Sequence, residues 1–274
     1  MGIEYVFNDI DGCIDNFVKP GFPDKQDLSP YSGGLQRLRE VAAQLPGTRF
    51  GVATARSVHE CDNIIHALDF QGPSICECGN IVYCPGQGGR LIFPQMELEP
   101  AVAASIEQFL AWRATLDLDT LAREKFPHTG IKMLHDRMSM VTFEFKKDVA
   151  APLVKWLEEF FFPLELKQAI ARGHVAISCS AHAIDIFPNI GKANALDHLA
   201  RTFGFDLGQT LAIGDSFHSD LEMLQLAGYA ACPANADEGV KEAVRRKGAQ
   251  GYVSPKPYSE GNADIFHHAL AKWC

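Results

Sequence analysis

The sequence predicts an α/β protein: a parallel sheet with helices on both faces, carrying an inserted α+β unit. Three observations lead to that class. Short apolar runs recur at residues 5–7, 49–53, 74–76, 210–213 and 229–232, each ending in polar or small residues. Helical patterns separate most of these runs, and alternating strand and helix marks a parallel sheet covered on both sides. The middle of the chain breaks the alternation and reads helix, strands, helix, strands, which describes an α+β unit with its own core.

The elements follow in order. A helix is expected over residues 34–45, where Leu35, Leu38 and Val41 fall in phase. The next follows Ser57. Ser57 and Glu60 have the S-x-x-E spacing of a capping box, and Ile64, Ile65 and Leu68 supply the apolar face. Residues 85–90 read as a Gly-rich turn. A helix over residues 100–116 then rests on Val102, Ile106, Phe109 and Leu110. Residues 138–145 alternate as a strand does, and a helix over 150–161 carries Leu153, Trp156, Leu157, Phe160 and Phe161. Strand-like runs at 175–179 and 183–187 close the insertion. A last helix over 192–203 turns Ala193, Leu196, Leu199, Ala200 and Phe203 to one side, with Gly204 placed to end it. The boundaries give a Rossmann-like domain from residues 1–83 and 189–274, and an insertion at 84–188.

Composition narrows the classes of function. The 274 residues are 47% hydrophobic, too apolar for a disordered chain. The net charge is −9, and Lys and Arg cluster only at Arg245, Arg246 and Lys247, so no nucleic-acid partner is expected. No apolar run approaches the roughly 20 residues of a membrane span. The start of the chain lacks a charged region followed by an apolar stretch, so a cytoplasmic location is expected. Eight cysteines follow no C-x-x-C spacing. Cys76, Cys78 and Cys84 cluster, and buried or edge thiols in a reducing compartment are the reading preferred over a zinc site.

Residues 7–16 read FNDIDGCIDN, a buried-looking strand running into two carboxylates. In extended chain, Asp9 and Asp11 point the same way. They would sit at the carboxyl end of the first strand, where open α/β sheets bind ligands, and Gly12 permits a sharp turn. Carboxylates so close disfavour joint ionisation unless a cation or proton lies between them. A surface turn would also use Asp and Gly. Thr54 ends the second run in GVATARS, where a hydroxyl and helix-start amides suit phosphate oxygens, or merely the approach to a helix. Lys192 opens a helix, an unfavourable place for a cation unless an anion lies near; a solvated lysine is the alternative. LAIGDSFHSDLEML ends the fourth run, with Asp215 after Gly214 and Asp220 at a helix start that Ser219 and Glu222 are spaced to cap.

Together these residues resemble the haloacid dehalogenase superfamily of phosphatases. DIDGCI at residues 9–14 is similar to its first motif, Thr54 to its second, Lys192 to its third, and Asp215 with Asp220 to its fourth, in the family's order over nearly the whole chain. The resemblance implies a phosphatase acting on a small phosphorylated metabolite, a sugar phosphate or phospho-acid. Asp9 would be the nucleophile and Asp11 the general acid and base. Asp9, the backbone carbonyl of Asp11, and Asp215 would ligate Mg²⁺, with Asp220 at the metal or orienting Lys192. Thr54 and Lys192 would hold the phosphoryl group. That division suits phosphoryl transfer, which needs positioning and charge neutralisation, and suits Mg²⁺, which prefers oxygen ligands.

The insertion resembles the larger α/β cap of the sugar-phosphatase subgroup. TARS and ICECGNIVY (75–83) look like that subgroup's T-x-R and E-N-G-A stretches, with Cys78 replacing the Asn and Asn80 the Ala. Arg56 would then meet an anionic part of the substrate, or else be a surface helix-start arginine. The acids Asp215 and Asp220 stand further apart than the subgroup's usual spacing. Asn235 is placed to brace the site. Lys132, His135, Arg137 and His174 are cleft candidates whose ordinary reading is solvated or satisfied polar residues. A phosphomutase on the same scaffold is the alternative activity, and a non-catalytic binding protein the alternative class.

Overall fold

β1 (Tyr5–Asn8) is buried along its whole length, as four apolar or sheltered residues in a central strand must be. It belongs to a computed structural model that describes residues 2–14, 32–45, 47–94, 98–115, 117–180 and 182–274. α1 (Ser32–Ala42), β2 (Arg49–Val52), α2 (Val58–Leu68), β3 (Ser74–Cys76), β4 (Ile81–Cys84) and β5 (Arg90–Ile92) follow. Next come α3 (Pro100–Arg113), α4 (Leu118–Lys125), β6 (Lys132–Met133), β7 (Val141–Glu144), α5 (Ala150–Phe160), α6 (Leu164–Ala171), β8 (Val175–Cys179) and β9 (Ala183–Pro188). The chain continues through α7 (Gly191–Phe203), β10 (Thr210–Ile213), α8 (Leu221–Leu226), β11 (Tyr229–Cys232), α9 (Glu238–Arg246), β12 (Gly251–Val253) and α10 (Tyr258–Lys272). The expected end of the 100–116 helix, Leu116, lies outside the described residues.

The chain divides into two compact units, one of residues 1–94 and 191–274, the other of residues 95–190. In the first, five parallel strands run in the order β12-β11-β10-β1-β2. Strand side chains alternate between faces. Val6, Val52, Leu211 and Ile213 therefore pack on one side with Leu38, Ile64, Ile65 and Phe266 from α1, α2 and α10. Tyr5, Phe7, Ala212 and Ala230 pack on the other with Leu196, Leu199, Leu224 and Val240 from α7, α8 and α9. α2 starts as its sequence dictates: Ser57 Oγ accepts from Glu60 N, and the Glu60 carboxylate accepts from Ser57 N.

One strand departs from expectation. β3 joins the parallel sheet through the isolated Ala53–Ile75 bridge and a bond from Val52 N to Ser74 Oγ at 3.1 Å, and its ladder is antiparallel with β4, which pairs with β5. The cause is the tight turn Glu77–Gly79, whose three residues all have positive φ and send the chain straight back. The same pairing keeps residues 81–94 with the first unit, so the division falls later than the 83/84 expected from sequence.

The second unit has an antiparallel sheet in the order β6-β7-β9-β8. Val141, Phe143, Ile184 and Ile186 point from it into one core with Phe109, Leu118, Leu153, Leu157 and Leu166, so α3 to α6 cover one face. Thr142 and Glu144 take the opposite face, where Thr142 Oγ1 donates to Asp185 at 2.7 Å and Lys132 pairs with Glu144 at 3.0 Å. Among the described residues no helix is long and apolar enough to cross a membrane.

Phe143 is fully buried at the centre of this core. Phe143→Ala should lower the stability of the second unit by about 3–5 kcal/mol, read from the denaturant midpoint. A loss under about 1 kcal/mol would contradict the packing described.

Candidate active site

Parallel strands share one carboxyl edge, and that edge collects the polar residues singled out in the sequence. β1 leads directly into Asp9, β2 into Ala53 and Thr54, and β10 into Gly214 and Asp215. Asp9 N donates to Ile213 O at 2.9 Å and Ala53 N to Asn8 O at 2.9 Å, which holds the three segments in register just past the strands. Gly12 turns the chain after Asp11 with φ of +81°, and a Cβ there would lie 2.0 Å from Asp215 Oδ2. Only glycine meets both conditions. Asn235 does brace this turn: its Nδ2 donates to Gly12 O at 2.7 Å while its Oδ1 accepts from Tyr258 N at 2.9 Å. The Cys13 thiol faces Asp215 Oδ1 at 3.7 Å.

Lys192 reaches this edge from the first turn of α7. Its Nζ lies 2.6 Å from Asp220 Oδ1 and 3.0 Å from Asp9 Oδ1, and the side chain is buried. The anion required by a lysine at a helix start is thus a pair of carboxylates. The start of α7 is fixed by the Glu77–Gly79 turn: a Cβ on Gly79, φ +95°, would sit 2.3 Å from Gly191 O.

Asp220 is fully buried and takes bonds on both oxygens. Oδ2 accepts from the amides of Asp215 at 3.0 Å and Ser216 at 2.9 Å, and Oδ1 accepts from Lys192 and from Ser219 Oγ at 3.2 Å. It stands at the N-cap of α8 but makes no cap bond there. The Ser219–Glu222 capping box expected from sequence is not what starts this helix, because Ser219 turns to Asp220 and Asp220 turns back to the loop. Asp220 was also expected at a metal. Its oxygens brace Lys192 and the Asp215 loop, and it also belongs to the cluster of acids whose oxygens lie within 4.8 Å of one another.

Thr54 is buried, and its Oγ1 accepts from Arg56 N at 3.2 Å, which leaves the hydroxyl proton for another acceptor. Arg56 is not the surface helix-start arginine that was the alternative reading: it is 1% exposed, and its guanidinium forks onto Asp11, with Nε to Oδ2 at 2.9 Å and Nη2 to Oδ1 at 2.7 Å. Sequence reading noted both residues and missed that they pair, since 45 positions separate them. It held Cys13 within the first motif without giving it a contact, and it passed over the strained turn; three consecutive small or polar residues after a strand were the available signal for the latter.

Oxygens of Asp9, Asp215 and Asp220 all lie within 4.8 Å of one another. Burial, then the charges of Asp220, Asp215 and Asp11, push the Asp9 carboxyl well above its ordinary range against the pull of Lys192. Burial and Asp220 push Asp215 up to about 7. Burial works to lower the Lys192 pKa, but the charges and hydrogen bonds of Asp220 and Asp9 raise it above its ordinary value, so it stays an ammonium. Three acids thus confront one cation.

The candidates of the second unit each have an ordinary local setting. His174 Nδ1 is 2.9 Å from Ser105 Oγ, a satisfied polar pair. His135 lies 3.8 Å from Asp119, Lys132 pairs with Glu144, and Arg137 is buried.

A family model for haloacid dehalogenase-like hydrolases matches residues 7–247. A phosphoglycolate phosphatase of Methanothrix thermoacetophila is 34% identical over 82 residues, 30% of this chain and 34% of that one. The chain thus spans about a third of the length of that curated relative. In structure it is similar to a Thermoplasma acidophilum protein, with a TM-score of 0.62 at 20% identity, covering 98% of this chain and 99% of that one. It is also similar to the sucrose-phosphatase of Synechocystis solved with sucrose and phosphate, with a TM-score of 0.57 at 16% identity and 98% of each chain covered. These structural likenesses establish a common fold, and the match along 7–247 goes further: the chain belongs to the haloacid dehalogenase-like hydrolase family.

Proposed function

We propose that the chain is a Mg²⁺-dependent phosphatase that hydrolyses a small phosphorylated metabolite, a sugar phosphate or related phospho-acid, by way of a phosphoryl group carried on Asp9. The observation that carries this reading is the Lys192 ammonium lying between Asp9 and Asp220, with Asp215 beside them. The family supports it, as do the phosphatase names of the similar proteins. The second unit is the cap of this reading.

In the first half-reaction an Asp9 oxygen bonds to phosphorus as the ester P–O bond breaks. Asp11 gives its proton to the departing oxygen, which leaves as an alcohol. In the second half Asp11 takes a proton from water, the water oxygen bonds to phosphorus, and the bond from Asp9 to phosphorus breaks. Inorganic phosphate leaves and Asp11 is again protonated. Splitting one displacement into two lowers each barrier. Lys192 has three N–H donors; two face Asp9 and Asp220, and the third suits a phosphoryl oxygen, as does the Thr54 hydroxyl.

Mg²⁺ fits the donor set. Carboxylate oxygens are its preferred ligands, and three acids around one ammonium leave negative charge to be offset. Asp9, Asp215 and the main-chain carbonyl of Asp11 would hold it, with Asp220 supporting from behind. When bound, the ion neutralises charge on the transferring phosphoryl group.

A phosphate-release screen over phosphorylated metabolites, with magnesium and with a chelator, tests the reading. Release that depends on the metal is expected; isomerised substrate without release would move the assignment to a phosphomutase. Asp9→Asn should cut turnover by at least about 1,000-fold while keeping the thermal midpoint, and undiminished activity would contradict the nucleophile. The titration of Asp215 gives a further outcome. Its ordinary pKa is 3.8 and its folded value about 7, so between them the folded protein without metal holds more protons than the unfolded chain. Those protons compete with the ion, and this group's contribution falls as pH rises. The rise in thermal midpoint on adding Mg²⁺ should therefore grow from about pH 5 to about pH 7. A shift independent of pH, or largest in acid, would contradict the assignment.

A further inference from the structure

We propose that Asn8 and Asn262 hold a buried water molecule between β1 and α10, behind the strand that leads into Asp9. Both side chains are fully buried, and neither the oxygen nor the nitrogen of either amide has a hydrogen-bond partner among the described residues. A buried amide left unmet costs its full desolvation, so two of them in one core need an explanation. Their immediate neighbours offer no partner. Asn8 is in register with Val52 and Ile213, apolar residues on the same face of the sheet. Asn262 shares the buried stripe of α10 with Ile265, Phe266 and Ala269.

The two amides stand at one level of the fold. At the start of α10, Tyr258 N donates to Asn235 Oδ1 while Asn235 Nδ2 donates to Gly12 O, just beyond β1. Further along the helix, the Phe266 ring meets Phe50 edge-on with centroids 5.3 Å apart, and Phe50 is the β2 partner of Val6. α10 therefore runs against β1 and is anchored beside it at both points. Asn262 precedes Phe266 by four residues, a rise of about 6 Å along a helix. Asn8 follows Val6 by two residues, about 6.6 Å along a strand. The two steps match, which sets Asn262 opposite Asn8 across the layer. No direct bond joins the two amides. Each offers one acceptor oxygen and two N–H donors, and a buried water takes two to four such partners, so one molecule can meet both. The bridge ties the last residue of β1 to α10, as Asn235 ties the Gly12 turn to it. The site does not depend on the phosphatase reading.

A high-resolution crystal structure of the wild-type chain tests the site directly and needs no variant. One water within hydrogen-bond distance of a side-chain atom of Asn8 and of Asn262 is the expected result. A water on only one of them, a direct bond between the amides, or no water there would overturn the site. Thermal unfolding gives a second readout. Asn8→Leu and Asn262→Leu nearly keep the volume, and each leaves the opposite amide without its shared partner. Each should lower the thermal midpoint by about 3–6 °C. The double variant removes both amides and should return to within about 2 °C of the wild type. Single shifts that add in the double variant, or single variants more stable than the wild type, would overturn the bridge, because amides that share nothing are not coupled.

Discussion

A buried ammonium shared by two buried carboxylates is the constraint on which this protein depends. Lys192 can stay charged inside the first unit only because Asp220 and Asp9 lie 2.6 and 3.0 Å away. Those partners come from different segments of the chain, beyond β1 and beyond β10, and Lys192 itself starts a helix. The parallel sheet solves the problem of bringing them together, because every strand delivers its carboxyl end to one edge. Such a cluster is a poor source of stability, since desolvating the charges costs about as much as their attraction returns. In the proposed function its presence in the core has a chemical reason: it concentrates oxygen donors and one fixed cation where a phosphoryl group and a divalent ion would need them.

The surrounding backbone is shaped to that end. Gly12 leaves room for the Asp215 carboxylate, and Gly79 leaves room for the start of α7. The Glu77–Gly79 turn holds three residues at positive φ, two of them not glycine, strain of a kind that surrounding structure must enforce. Asp220 enforces the neighbouring loop by accepting two of its amides, and Asn235 ties the Gly12 turn to the start of α10. Each of these contacts acts on a residue of the cluster through its backbone. A deletion among them is expected to misplace a carboxylate, and misplacement of about 1 Å is costly in catalysis.

Much of this was legible in the sequence. The runs that became β1, β2, β10 and β11 are short and apolar and end in the residues that matter, so the edge they share follows from their alternation with helices. Asp9, Thr54, Lys192 and Asp215 each stood out because a polar residue directly after a buried strand, or a cation at a helix start, needs a reason. Pairings were harder to read. Arg56 and Asp11 meet through the sheet and not through local pattern, and nothing in TARS says which acid its arginine will find. β4 and β5 were hidden by the Gly-rich turn between them, and β12 by having only three residues. α10 was hidden by Gly261 and Asn262, weak helix formers that tertiary packing overrides in a buried helix. The polar sheet face of the second unit offered no functional signal, because it is made of ordinary cross-strand pairs, Lys132 with Glu144 and Thr142 with Asp185.

The central claim is that the first carboxylate after β1 carries the phosphoryl group between substrate and water. Its most direct test is to mix enzyme with a turned-over phosphate ester, quench in acid within milliseconds, and locate the acid-stable phosphoryl group by peptide mass spectrometry. Label on Asp9, lost in neutral hydroxylamine as an acyl phosphate must be, is the predicted result. A phosphoryl group on any other residue, or phosphate release with no protein-bound phosphoryl group at any quench time, would contradict the account.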